Sequence, residues 1–317
     1  DEAVLYLRVY FVGFPFLFMY NILSTMFTSI GESRIPLGLL IFSSVLNIFM
    51  DLWMVAGLDL GVFGAALATL IAQGISAVFS LLIFFSRMRR YKSRFEWFDR
   101  HELHSMLRIA VPSVLQQSTV SIGMMIVQAV VNPFGTQALA GYAATMRVEN
   151  VFSLIFVSIG NAVSPYVSQN LGAKKYQRIR KGVHSGTYMA LLTSVVISGV
   201  MVLFGRNILS LFVSGEPEQI RQVLDIAYKY LFIMAIFLWV LYLLYVYRSA
   251  IQGLGNTLIP LASGIAEFVM RVSVALLLPK LIGEDGIFYA EICAWTSAAV
   301  LLFISYMIII RKYKEYN

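Results

Sequence analysis

The sequence predicts an all-α polytopic membrane protein, a two-lobe helix bundle with a parallel internal repeat. Three observations predict it. Of 317 residues, 59% are hydrophobic and 13% charged, with a mean hydropathy of +0.78, whereas a soluble domain carries about a quarter charged residues. Apolar runs of twenty or more residues recur without the alternation of a β-barrel strand, so the membrane is crossed by helices. The positive charges that make the net charge +7 cluster in alternate loops, as cytoplasmic loops require.

Nine spans follow in order, over residues 5–27, 37–57, 61–86, 105–131, 138–168, 184–204, 223–251, 260–282 and 287–310. The basic segments are 87–104, 174–181 and 311–314. Two and then four spans separate them, so all three lie on one side, expected to be the cytoplasm together with the C-terminus. Residues 1–87 form a partial N-terminal lobe of three spans, and 88–104 a basic linker with Trp97 and Phe98 lying on the membrane surface. Residues 105–311 form a C-terminal lobe of six spans, and 312–317 a cytoplasmic tail. Pro15, Pro112 and Pro165 fall inside spans and are expected to interrupt or kink them.

An internal repeat relates the lobes. Tyr6 and Leu7 match Tyr230 and Leu231, Gly31 matches Gly255 and Pro36 matches Pro260, all at an offset of 224, and Gly61 matches Gly286 at 225. Six spans separate the copies, so the repeats are parallel about an axis along the membrane normal. The second half has six spans and the first has three. The expectation is a fragment lacking three leading helices, on the order of 120 residues.

Within the second span Ser43, Asn47 and Asp51 stand four apart on one helical face. An ionisable carboxylate in an apolar run is costly in lipid and marks a functional site. At 1.5 Å per residue, Asp51, Asn47 and Thr69 lie about 9, 15 and 12 Å from the helix ends at Gly57 and Gly61, and so share a depth. Carboxylate, amide and hydroxyl oxygens suit Na⁺, or a carboxyl group that takes a proton. The second copy replaces Asn47, Asp51 and Thr69 by Arg271, Ala275 and Ala294, so the set belongs to one lobe. The rival reading of Asp51 is a hydrogen-bonded structural acid.

Other intramembrane charges invite weaker readings. Glu267 stands four residues before Arg271 and can neutralise it. Arg147 and Glu149, two apart, need separate partners, while Arg248 and Glu291 could be paired or line a cavity. Gln116, Gln117, Arg147, Glu149 and Glu267 are the candidate substrate-cavity residues. His101, His104 and His184 lie in basic loops and suggest no zinc site, and Cys293 stands alone. No metal is expected beyond Na⁺ at Asp51, Asn47 and Thr69.

The ordered motifs resemble the multidrug and toxic compound extrusion (MATE) family. They are Tyr6-Leu7-Arg8, Gly31 with Pro36, Asn47 with Asp51, and Gly61-x-x-Gly64-Ala65-Ala66-x-Ala68-Thr69. The second half adds Ile109-Ala110-Val111-Pro112-Ser113, Gln137 through Tyr142, and Gln169-x-Leu171-Gly172-Ala173. Their order resembles spans four to twelve of a twelve-span family. In the prokaryotic branch with an N-lobe cation site, the resemblance implies that Asp51, Asn47 and Thr69 are cation ligands and Tyr6 a supporting tyrosine. Asn21 is similar to a polar residue of that site, and the family's first-span aspartate has no counterpart here. Gln116 and Gln117 stand where other members carry a carboxylate.

The resemblance implies an antiporter of a prokaryotic plasma membrane. It would exchange H⁺ or Na⁺ for small, amphipathic, often cationic organic compounds by alternating access, without a cofactor and as a monomer. The bilayer is its expected partner, and nucleic acid is not. A flippase for lipid-linked precursors is the alternative, and would want several arginines for pyrophosphate. A membrane enzyme acting on lipid is disfavoured because no nucleophile–base set appears, and a channel because two-lobe repeats mark transporters.

Overall fold

The computed structural model describes residues 2–89, 98–283 and 285–313, and among these every regular element is a helix. Nine of the helices are long and apolar enough to cross a membrane. The chain divides into two compact units between Trp97 and Phe98, inside the segment read as a linker.

The first unit holds α1 (Glu2–Ser29), α2 (Arg34–Asp51) and α3 (Gly61–Met88). Both α1 and α2 pack on α3. The buried face of α3 is made of Gly64, Ala66, Ala68, Ala72, Ser76, Ala77 and Ser80. Small side chains let membrane helices approach closely, where packing replaces the hydrophobic drive that lipid cannot supply. The outward faces carry large apolar groups such as Phe11, Phe18, Ile41 and Phe49. Tyr20 of α1 donates to the Pro36 carbonyl at 3.2 Å, and Arg87 pairs with Glu32 at 3.4 Å.

The second unit is built on α7 (Pro217–Gly253), which buries more of its length than the helices around it. Helices α5 (Thr136–Gly172), α6 (Tyr176–Ser210) and α10 (Asp285–Lys312) pack on α7. Helix α8 (Leu258–Leu277) packs on α10, and α4 (Arg100–Val131) on α8. A four-residue helix, α9 (Pro279–Ile282), links α8 to α10. Tyr230 stacks between Tyr142 and Phe288, with centroids 5.7 and 4.7 Å away.

Several expectations are corrected. Pro15, Pro112 and Pro165 lie inside continuous helices, so none of them interrupts its span. Helix α4 opens at Arg100 rather than 105, since the Asp99 carboxylate caps the amides of His101 and Glu102 at 2.7 and 3.4 Å. Helix α6 opens at Tyr176, so most of the basic 174–181 segment is helix, as its straight-chain Arg and Lys residues favour. The surface connector proposed around Trp97 lies largely outside the described residues, and Phe98 is exposed.

The second span does not run as one α-helix to Gly57. Leu52–Gly57 winds as a π-helix. Leu58 donates to the Trp53 carbonyl at 3.0 Å and Leu60 to that of Met54 at 3.1 Å, which turns the chain into α3.

The repeat is visible in the backbone. Gly31 and Gly255 have φ of +86° and +80°, the left-handed cap that glycine takes without steric cost. Glu32 donates to Phe27 at 2.9 Å, and Asn256 to Ile251 at 3.2 Å, the same bond displaced by 224 residues.

Candidate functional site

The polar stripe of α2 faces α3. Ser43 donates to the Ala72 carbonyl at 3.4 Å. One turn on, the Asn47 amide donates to Thr69 Oγ1 at 3.4 Å, and Thr69 donates to the Ala65 carbonyl at 3.0 Å. That bond ties down the Thr69 hydroxyl hydrogen and uses only the donor end of Asn47. Oxygen atoms of both side chains remain able to accept or to ligate.

Asp51 is one turn beyond Asn47, at the last residue of α2 and the start of the π-helix. It is half-buried, and its Oδ1 has no hydrogen-bond partner among the described residues. Buried polar atoms are normally paired, and each exception needs an explanation. π-bulges recur at functional sites, and this one was not visible in the sequence.

The other two residues assigned by resemblance stand apart. Asn21 is exposed and donates to its own helix at Leu17, at 2.8 Å. Tyr6 is half-buried and stacks on Tyr10 with centroids 6.3 Å apart. No described bond joins either to Asn47, Asp51 or Thr69. Helix α3 contributes polar groups that sequence reading missed. Gln73 is half-buried, while Ser76 and Ser80 are buried with hydroxyls unpartnered among the described residues. Their 4-3-4 spacing from Thr69 puts all four on one helical face, and that spacing was the available signal.

The second unit uses the repeat-equivalent surface differently. Arg271 of α8 donates to Glu291 of α10 through Nε at 3.1 Å and Nη2 at 2.8 Å, and to Glu267 at 3.0 Å. Arg248 of α7 donates to Glu267 at 2.9 Å and to Ser263 at 3.4 Å. All four charged groups are buried. The expected Glu267–Arg271 pair is therefore present, and Arg248 and Glu291 are buried members of the same cluster. Two arginines and two glutamates balance, the condition under which buried charge is tolerated.

The remaining cavity candidates scatter around this cluster. Gln116 is buried against Gly264, with Nε2 unpartnered among the described residues. Gln117 and Arg147 are exposed, and Glu149 is half-buried within electrostatic reach of Glu291, Arg271 and Glu267. No group of three or more potential metal-ligating His, Cys, Asp or Glu residues occurs among the described residues.

Membrane-length helices, a duplicated lobe pattern and an intramembrane carboxylate with an unpartnered oxygen among the described residues define a multi-pass membrane protein of the transporter type. The MatE family profile matches residues 1–53 and 112–277, and the chain belongs to that family. Its members are transporters, not enzymes. The chain is 28% identical over 293 residues to the probable multidrug resistance protein YpnP of Bacillus subtilis, covering 90% of this chain and 63% of that protein. It is 25% identical over 309 residues to the multidrug export protein MepA of Staphylococcus haemolyticus, covering 95% and 66%.

The chain thus spans about two thirds of the length of these relatives. Among solved structures, MATE in the bent conformation superposes with a TM-score of 0.87 at 20% identity, over 99% of this chain and 70% of that one. An outward-facing multidrug resistance MATE transporter of the MOP superfamily superposes at 0.86 and 21%, over 98% and 70%. At these identities the likeness shows the fold.

Proposed function

We propose that this chain carries the ion-coupling lobe surface of an exporter that exchanges H⁺ or Na⁺ for amphipathic, often cationic, organic compounds. The observation that carries the reading is the Asp51 carboxylate, with Oδ1 unpartnered one turn from the Asn47–Thr69 contact. An acid held in lipid without a counter-charge is costly. A proton or a sodium ion removes the cost, and the Asn47 and Thr69 oxygens extend the carboxylate into a hard-cation ligand set.

The two ions compete naturally, because each neutralises the same carboxylate. Coupling follows if the ion binds one lobe conformation better than another, since only differential affinity shifts such an equilibrium. The names of the relatives YpnP and MepA support an export role. Against the flippase alternative, Arg248 and Arg271 are engaged with Glu267 and Glu291, which disfavours them as pyrophosphate ligands. Tyr6 and Asn21 are proposed to support the site from α1, and the basic loops and C-terminus to face the cytoplasm of a prokaryotic plasma membrane.

The test is transport in proteoliposomes under an imposed pH or Na⁺ gradient, following efflux of a cationic dye. Asp51→Asn is expected to abolish gradient-driven movement while leaving the protein folded. Undiminished export by Asp51→Asn would refute the proposal.

A further inference from the structure

Helices α6 and α10 both pack on α7 and leave between them a cleft of about 680 Å³. One end is basic, with Arg180, Lys181 and His184 on α6 and Arg311 on α10. The rest is apolar, with Phe303, Met307 and Ile310 of α10 beside Tyr247 of α7. Tyr247 is braced by ring contacts to Phe303 and Tyr306 at 5.3 and 5.4 Å.

Among the described residues no ion pair or side-chain hydrogen bond engages Arg180, Lys181 or Arg311, whereas Arg206, Lys229, Arg248 and Arg271 each have a carboxylate. The local sequence is poor in acids: none lies between Glu149 and Glu216, and the first after Glu291 is Glu315. Like charges converging on one low-dielectric cleft focus a positive potential, which suits it to an anion.

The apolar part decides what that anion carries. Phe303 lies eight residues from Arg311 along α10, about 12 Å deeper, and Phe303, Met307 and Ile310 share one face. Phe303 and Met307 are exposed large hydrophobics. A free anion would use only the basic end. We propose that this cleft binds an anionic phospholipid, with its phosphate headgroup among Arg180, Lys181 and Arg311 and an acyl chain along Met307 and Phe303. Basic pockets between membrane helices at headgroup depth bind such lipids. The inference does not rest on the export reading.

Native mass spectrometry of the purified full chain tests it, with phosphatidylglycerol, phosphatidylcholine and glycerol phosphate as probes. Phosphatidylglycerol is expected to stay bound, phosphatidylcholine to bind at least about tenfold more weakly, and glycerol phosphate to displace neither. R180Q/R311Q should weaken phosphatidylglycerol binding on the order of tenfold. K174Q/K175Q, which removes as much charge outside the cleft, should leave it unchanged. If the double variant aggregates on size exclusion, the single variants R180Q and R311Q are each expected to lose about threefold. Equal retention of both lipids, wild-type binding by the cleft variants, or displacement by glycerol phosphate would overturn the proposal.

Discussion

Arg271 on α8 and Glu291 on α10 are joined by two hydrogen bonds, Nε to Oε1 at 3.1 Å and Nη2 to Oε2 at 2.8 Å, with neither residue exposed. Arg271 is the repeat counterpart of Asn47, which makes one 3.4 Å contact with Thr69 across the matching helix pair. One interhelical position thus serves two chemistries. In the second unit it closes a neutral cluster, and in the first it leaves a carboxylate one turn away with an unpartnered oxygen.

Glu291→Ala leaves Arg248 and Arg271 to share Glu267, a net buried positive charge, and removing one partner of a buried pair costs about 3–5 kcal/mol. Thermal unfolding in detergent should show a large drop in midpoint. The double replacement Arg271→Met with Glu291→Leu should recover much of it, because apolar groups of similar volume replace buried pairs at little cost. A midpoint unmoved by Glu291→Ala would mean the cluster is not structural.

Gly253 lets α7 lie against α5, where an added Cβ would sit 2.6 Å from the Ser164 carbonyl oxygen and 2.9 Å from Val167 Cβ. Backbone cannot swing aside as a side chain can, so Gly253→Ala should destabilise by about 1–3 kcal/mol. Gly199 in α6 has open space around its Cβ position. There the same substitution should gain up to about 1 kcal/mol through helix propensity. Equal effects at the two sites in one unfolding assay would contradict the packing argument.

Arg206 pairs with Asp225 between α6 and α7, but both side chains are more than half exposed. Such pairs contribute between zero and about 1 kcal/mol. Asp225→Asn should therefore shift the unfolding midpoint far less than Glu291→Ala, and added salt should erase the difference from wild type. A loss comparable to that of Glu291→Ala would show this pair to be shielded.

Thr69 and Asn21 separate the geometric site from the wider one implied by resemblance. Thr69→Ala removes an oxygen beside Asn47, a loss of about 1 kcal/mol, and should raise the ion concentration for half-maximal export about fivefold. Thr69→Ser should restore it. Asn21→Ala, which also loses a bond to its own helix, should raise it by less, about twofold, as a supporting residue would. An ion requirement unmoved by Asn21→Ala in proteoliposome assays would confine the site to α2 and α3.

Much of this protein is determined by sequence alone, for reasons of length and polarity. A run of about twenty apolar residues must satisfy its own backbone in lipid, so the nine membrane-length helices among the described residues and the Gly31–Gly255 repeat followed from composition and spacing. The Asn47–Asp51 stripe was legible because four-residue spacing fixes a helical face. Spacing also made the Glu267–Arg271 pair readable within one helix.

What spacing along one helix cannot specify is the partner on another. Only tertiary packing decided that Arg248 closes on Glu267, that Arg271 reaches Glu291 and that Ser76 and Ser80 are buried. Packing also joined basic segments more than a hundred residues apart in one cleft at Arg180 and Arg311. The π-helix after Asp51, packed where Met54 and Leu60 meet Gly64 of α3, has no signature in hydropathy either. For Asp51 itself, sequence determined that the carboxylate sits on the polar stripe of an apolar span. Only the packed structure placed it a turn from the Asn47–Thr69 contact with one oxygen unpartnered among the described residues, because burial and pairing depend on neighbours that lie far away along the chain.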